Sequence, residues 1–495
     1  MKKCAVVLAV VCTFMLVHSS ALAKMGSGKV SAKSGDVNWE LFGSLKVYPT
    51  YISNIDFNDD KTSMDFIIDE SGAMAERSIR NEARLGFKAT GENWSLMSIL
   101  EADFVYNKAN GDRGVGDELG LNDSGFTGED FGMEKLDASY NFGAHGLPVK
   151  LSTGWNGRTV DIFTGGMVYT DDHPFVNLSG KFSNVKWDFL YLIIQDTIEA
   201  EGNAAGAPKI ANGPFDADNL DWRAYSLRLD IPVGDTGFKV DPFYLFSNNQ
   251  DKEADVHYLG IQGFGKLGMF TPRAEFVYVT GDKDNHTLAD GSTEDVDIQS
   301  MAAFVALEAD VCPMFNPFIG GYYYQGDSDG NDDEIEAFNS VTNNARFSPV
   351  FGMENAIIYR YVPALGTHLY EGTPNMLGGS GTGYGSISNS GSANFPGMIS
   401  YGIGAKGKQG KFQYKTMFQY FMFDDTGALE DVEGKKIDDE MGWEFDLQLT
   451  YNFTNHFSLG NTVSFFDPGE GIQDLWGDDY DEMAIIDTVE LKWNF

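Results

Sequence analysis

Cysteine is nearly absent from this chain: three residues in 495, at Cys4, Cys12 and Cys312. The first two fall in the leader described below, so no disulfide framework holds the remainder, and no C-x-x-C-H run is present to attach a haem. Basic residues are few, 35 against 73 acids, for a formal charge of −38. Such a surface repels nucleic acid and anionic head groups, and no nucleic-acid partner is expected. After the first 23 residues no apolar run is long enough to cross a bilayer as a helix. Histidines are scattered: His145, His173, His257, His286, His368 and His456 stand in no Ser–His–acid or metal-ligand spacing. A G-x-G-x-x-G turn between strand and helix is also missing. These absences leave no catalytic residue and no cofactor to nominate, and the chain is expected not to be an enzyme. Proline is scarce too, 15 residues beside 57 Gly, 37 Phe and 22 Tyr, a balance that favours strands joined by many turns.

What is present begins with Met1-Lys2-Lys3, a mostly apolar run over 4–17, and Ala21-Leu22-Ala23. A positive start, a short apolar core and an A-x-A site describe a secretory signal peptide, 1–23, cut before Lys24. Lys2 and Lys3 leave with it and no acid does, which takes the charge from −38 to −40. Residues 24–36 are then a short periplasmic N-terminal segment, too small for a plug domain.

From Val37 onward, segments of period-two character recur. Ala83, Leu85 and Phe87 face away from Glu82, Arg84 and Lys88. Phe445, Leu447 and Leu449 face away from Glu444, Asp446 and Gln448. Each run of about 10–14 residues has one apolar and one wet face, as a tilted membrane strand needs. Short links at 90–93, 143–147, 183–184, 232–236, 264–267, 311–313, 407–410 and 453–456 alternate with long ones at 52–79, 107–131, 159–173, 197–220, 248–254, 281–295, 326–396, 425–440 and 467–480. The expectation is an all-β transmembrane antiparallel barrel over 37–495, of about eighteen strands with sixteen as the alternative, short periplasmic turns on one rim and long extracellular loops on the other. A propeller would repeat every ~40–50 residues, and no such repeat is found. Aromatics cluster beside the short links, among them Trp94, Phe142, Phe182, Phe453, Phe457 and Trp493. The final strand ends on Phe495, which is expected to close the ring against the first strand and to be read by the barrel assembly machinery.

The inward positions carry the candidate pore-lining residues. On the early strands these are Arg80, Arg84, Lys88, Glu101, Asp103 and Lys135. Further on they are Lys150, Lys181, Lys186, Arg228, Lys239 and Arg273, and near the end Lys411 and Lys415. Ladders of charge set ion preference in pores. Arg and Lys on strands 2, 5, 6 and 8 would face a wall of acids across the bore, while the long loops form an acidic outer mouth. That mouth offers oxygens for Ca²⁺. Asp327-Ser-Asp329-Gly-Asn331 starts like a calcium loop, but it lacks the Gly at position six and the Glu at position twelve, so a solvated acidic loop is the better reading. Link 326–396 is too long for an ordinary connection. Its Phe347, Phe351, Tyr359 and Tyr361 call for burial, so partial infolding into the bore is expected.

Arg84-Leu85-Gly86-Phe87-Lys88 before a turn and a Trp resembles the second strand of Gram-negative porins. Gly154-Trp-Asn-Gly-Arg158 and Leu178-Ser-Gly-Lys-Phe182 resemble substrate-specific barrels, and Phe445-Asp-Leu447 through Phe466-Asp-Pro468-Gly469 is similar to the alginate-export family. The resemblance implies an eighteen-strand monomer whose bore passes an anionic polysaccharide along basic residues. Similarity to the porins of sulfate-reducing bacteria implies a sixteen-strand homotrimer instead. Either way the implied protein is an outer-membrane channel in contact with lipid and lipopolysaccharide. It would pass small hydrophilic solutes by passive diffusion, with some preference for anions. A polysaccharide exporter and a non-conducting structural or adhesive barrel are the alternatives.

Overall fold

The computed structural model describes residues 30–54, 57–58, 67–69, 72–74, 77–105, 131–161, 163–198, 219–250, 252–288, 290–342, 348–353, 356–360 and 396–495. The expected signal peptide, the Gly-rich stretch after residue 377, Phe347 and Tyr361 lie outside them, as do the side chains of Arg80, Asp103 and Tyr359.

Eighteen antiparallel strands form one closed sheet. They are β1 (Val37–Ser53), β2 (Arg77–Thr90), β3 (Trp94–Val105), β4 (Phe131–Asn141), β5 (Val149–Thr159) and β6 (Thr170–Phe182). Then come β7 (Val185–Ile198), β8 (Asn219–Pro232), β9 (Phe238–Asn249), β10 (Ala254–Gly265), β11 (Phe270–Thr287) and β12 (Thr293–Ala309). The last six are β13 (Asn316–Tyr324), β14 (Met398–Gln409), β15 (Phe412–Met422), β16 (Glu440–Asn452), β17 (Phe457–Pro468) and β18 (Ala484–Asn494). Each pairs with its neighbours in sequence, and the ring closes where β1 meets β18, from Ser44↔Asn494 to Ser53↔Ile485. Closure pairs the backbone groups of every strand, the condition for a sheet to stand in hydrocarbon. No helix among the described residues is long and apolar enough to cross a membrane.

Alternation does in the structure what it implies in the sequence. Outward-pointing Leu85, Phe87, Leu259, Ile261, Ile319 and Ile403 are exposed, while inward Glu82, Gln262, Glu275, Gln419, Glu444 and Asp446 are buried. Ring contacts mark two belts. By the turns, Tyr451, Phe453, Phe457 and Trp493 form a chain with centroids 4.7, 5.3 and 4.9 Å apart. Six to nine positions further along their strands, Tyr191 meets Tyr225 at 5.0 Å and Phe418 meets Trp443 at 5.5 Å. At about 3.3 Å per residue, that spacing is the height of a lipid-facing band.

Several links differ from their expected lengths, two of them on neighbouring tall hairpins. The strands β11 and β12 run on to Thr287 and from Thr293, so most of 281–295 is a tall hairpin. Its acids are the wet face of a strand whose other face is Val296 and Ile298, both buried. The link 248–254 shrinks to 250–253 for the same reason.

A short N-terminal strand, Val30–Ser34, turns at Gly35 and pairs with β1 from Val37 to Leu41, in line with β18. Between the two, Gly43 and Phe495 exchange both backbone hydrogen bonds at 3.0 Å. A Cβ on Gly43 would strike the Phe495 ring and the Arg84 carbonyl. Gly43→Ala should therefore strain the seam by about 1–3 kcal/mol, as overpacking does. The expected result is a lower temperature for loss of the compact band in heat-modified gel mobility.

Candidate functional site

The described parts of two loops bond to inward-facing side chains of the wall. L3 (160–169) joins β5 to β6 and is stapled by Asp161, whose carboxylate accepts from Val168 N–H at 2.7 Å and Tyr169 N–H at 3.2 Å. Wall side chains then take up the loop backbone. Arg228 donates to the Val160 carbonyl at 2.8 Å, Arg273 to the Phe163 carbonyl at 3.0 Å, and Tyr322 to the Gly165 carbonyl at 3.1 Å. Glu275 accepts from the Thr164 hydroxyl and, at 3.3 Å, from Gly165 N–H.

L7 (325–397) is infolded over its described residues 337–342, 348–353 and 356–358, in line with the partial infolding its length and aromatics led one to expect. Val341 donates to the Val168 carbonyl at 3.0 Å, so L7 rests on L3. Phe351 is fully buried, edge-on to Phe318 at 5.9 Å and to Tyr322 at 6.2 Å. A single helical turn, α1 (Ile357–Arg360), presents Ile357 and Ile358 N–H to the Glu444 carboxylate at 2.7 and 2.9 Å. Lys415 donates to the Gly352 carbonyl at 2.6 Å. Two further helices, α2 (Gly427–Glu433) and α3 (Glu470–Trp476), lie in the loops at the outer rim.

At the root of L7 the carboxylate of Asp327 is buried and accepts from Asp329 N–H at 3.2 Å and Glu336 N–H at 3.0 Å. Burial pushes its pKa up to about 8; the two amides oppose that, and the Asp332 and Glu336 charges add to it. A carboxyl that holds its proton more tightly folded than unfolded stabilises the fold below its unfolded value, and the gain is lost as pH rises through the folded one. The root of L7 should therefore be tightest below about pH 4 and loosen up to about pH 8. Exchange protection at the Asp329 and Glu336 amides should fall across that window, and Asp327→Asn should flatten the profile. Among the described residues no group of three or more His, Cys, Asp or Glu could hold a metal ion.

No family model matches the chain and no curated protein matches it. Solved structures do. OccK9 (OpdG) of Pseudomonas aeruginosa aligns at 11% identity with TM-score 0.50, covering 92% of this chain and 98% of that one. OccAB2 of Acinetobacter baumannii aligns at 11% with TM-score 0.50, over 92% and 98%. The chain shares the eighteen-strand barrel fold of these two proteins.

Within this barrel the expected lining residues fall into three groups. Arg84 sits among carboxylates, with Glu82 at 3.1 Å, Glu134 at 3.0 Å, and Glu101 in contact. Lys135 lies 3.7 Å from both Glu134 and Asp172. Parity alone put the β2 arginine opposite a separate acid wall; the structure puts Arg84 inside the acid group. Lys88 is half-buried, opposite Glu40 in register. A second group, Arg228, Arg273 and Lys415, holds the loops. The third lies by the turns, around a cavity of about 610 Å³ lined by Lys150, Lys181, Lys186, Arg228 and Lys239, with Phe163 and Phe264. Lys239 pairs with Asp230 at 2.6 Å, and Asp188 and Asp241 complete the wall. Lys181 and Lys186 stand directly opposite each other in register. Lys411 is at the turn itself, donating to the Phe453 carbonyl at 2.5 Å.

Several functional residues escaped sequence reasoning. Glu134 is the extra residue of a bulge between Ile99 and Leu100, which turns it inward against its parity. Arg158 bonds Asp137 at 2.7 Å and lies 3.6 Å from the Phe175 ring. Lys406 and Lys408 line a second cavity of about 500 Å³ on β14–β16, with Lys406 opposite Lys415 and 2.8 Å from Glu308. A strand of Gly and Ala hides its boundary: the link expected at 407–410 lies at 410–411.

Proposed function

We propose that this chain is an outer-membrane channel for passive diffusion of small hydrophilic solutes, with a preference for anions. One observation carries the preference: Lys181 and Lys186 face each other across neighbouring strands inside a closed ring. Like charges placed directly opposite cost stability, and among the described residues neither ammonium has a carboxylate within ion-pair distance. A fold keeps such a conflict where it serves function, and an anion passing between the two amines relieves it. Phe163, stacked on Phe264 at 5.1 Å, gives the same cavity an apolar floor. L3 and L7 set the size limit above it.

The finer assignments rest on the same reading. Residues 1–23 direct export and are removed. The apolar band contacts lipid and lipopolysaccharide, and Phe495, seated at the seam, is the residue offered to the barrel assembly machinery. The chemistry inside the barrel is solute passage, not catalysis. Purified protein in a planar bilayer under a KCl gradient tests this. A reversal potential on the anion-selective side is expected. A bilayer that stays silent, with liposomes that do not swell in small sugars, would leave a sealed structural barrel in its place.

A further inference from the structure

Charge along the barrel axis is sorted by sign, and the sorting has a functional consequence. On the loop rim, stretches 326–342, 423–439 and 469–483 carry a succession of acids with only Lys435 and Lys436 to offset them. Asp329, Asp431, Asp474, Asp478 and Asp479 are exposed there. On the turn rim the order reverses. Both cavities adjoining the turns are net basic, one with Lys150, Lys181, Lys186, Arg228 and Lys239 against Asp188, Asp230 and Asp241, the other with Lys406, Lys408 and Lys415 and no acid in its lining. Asp36, Glu92, Asp235 and Asp310 are the acids of the described turns, and Asp310 is already paired with Lys266. Between the rims, the charged groups that face the loops are compensated by loop backbone, Glu275 and Glu444 by amides and Arg228, Arg273 and Lys415 by carbonyls, while Arg84 and Lys135 are set against Glu82, Glu101 and Glu134.

We propose that the pore is an axial charge junction, with an acidic outer vestibule, a compensated waist and a basic inner vestibule, and that it rectifies ion current. The inference rests on the channel reading above. An acidic mouth concentrates cations and a basic mouth concentrates anions. When the loop side is positive, cations enter through the acidic rim and anions through the basic rim, and both accumulate at the waist. When it is negative, each ion must enter through the rim that repels it, and the waist is depleted. The bore is thereby a one-way preference, easiest for anions moving from the turn side to the loop side and for cations moving the other way.

The test is single-channel recording of the whole protein in symmetric KCl, with insertion direction fixed by biotin on Cys312, which is exposed at a turn, and streptavidin added to one chamber. At about 0.1 M salt, where the screening length is ~10 Å, current should be about twofold larger with the loop side positive. At about 1 M, where it is ~3 Å, the ratio should approach one. Lys181→Ser, Lys186→Ser, Lys406→Ser and Lys408→Ser together should remove most of the asymmetry. Should that variant fail to fold, Asp474→Asn, Asp478→Asn and Asp479→Asn, all exposed at the outer rim, should reduce it too. A current that is symmetric at low salt in the wild type, or asymmetry unchanged in the variants, overturns the junction while leaving the channel standing. No current at all overturns the channel reading and this inference with it.

Discussion

Replacing Glu444 with alanine should open the bore. The carboxylate is fully buried on the β16 wall and is the acceptor for the first two amides of α1, at 2.7 and 2.9 Å. Hydrogen bonds to a charged group contribute ~1.5–3 kcal/mol each, and amides left buried without an acceptor cost more. Loss of both should weaken L7 docking by about 3 kcal/mol, a roughly hundredfold shift toward the undocked loop. One effect opposes this: Asp446 is also fully buried nearby and bonds Ser464, and removing its acidic neighbour relieves some repulsion. That relief is the smaller quantity, because Lys415 lies on the same wall and already offsets part of the charge. Phe351, Ile357 and Ile358 are apolar and stay attracted to the wall, so the loop should flicker rather than leave. The expected readout is larger and noisier single-channel conductance, with faster exchange at the Ile357 and Ile358 amides. Glu444→Gln, which keeps one acceptor oxygen, should fall between. Unaltered conductance in the alanine variant would show that L7 does not set the size limit.

The parts of this architecture that were legible in sequence are those governed by a fixed period. A membrane strand must show lipid every second residue, so Leu85 and Phe87 declared their face and Glu82 and Arg84 theirs. Aromatics beside the short links marked the turn-side belt, and the same rule marked the seam at Phe495. The wall contacts of L3 were illegible because they follow no period. Asp161 and Thr164 sit in a ten-residue link with no local pattern, and their partners Gln262 and Glu275 lie about a hundred residues away. Glu134 was illegible for a different reason: one inserted residue reverses parity, and nothing in Gly132-Met133-Glu134-Lys135 announces the insertion. Lys406 was lost where glycines at 402, 404 and 407 removed the apolar partners that make alternation visible. L7 was half legible. Its length and aromatics required a buried home, but only the structure supplies Glu444 as the wall group that receives it.

Lys181→Glu separates stability from selectivity, because it should raise one while lowering the other. The new carboxylate would stand directly opposite Lys186, turning a repulsive cross-strand pair into an attractive one worth about 0.5–1 kcal/mol. Thermal unfolding should therefore move up. The cavity meanwhile loses two units of positive charge. For an ion passing ~7 Å away in water, each unit is worth about 0.6 kcal/mol, and screening at ~0.1 M salt removes roughly half. The remaining ~0.6 kcal/mol is a roughly threefold fall in anion occupancy and an equal rise for cations. The reversal potential under a KCl gradient should swing toward the cation side, more at low salt than at high. The opposed signs are what make the experiment decisive. If Lys181 and Lys186 merely solvate a wet wall, the variant gains stability and the reversal potential stays where it was. If the pair is kept at a cost because anions pass between its amines, the gain in stability comes with a loss of anion preference.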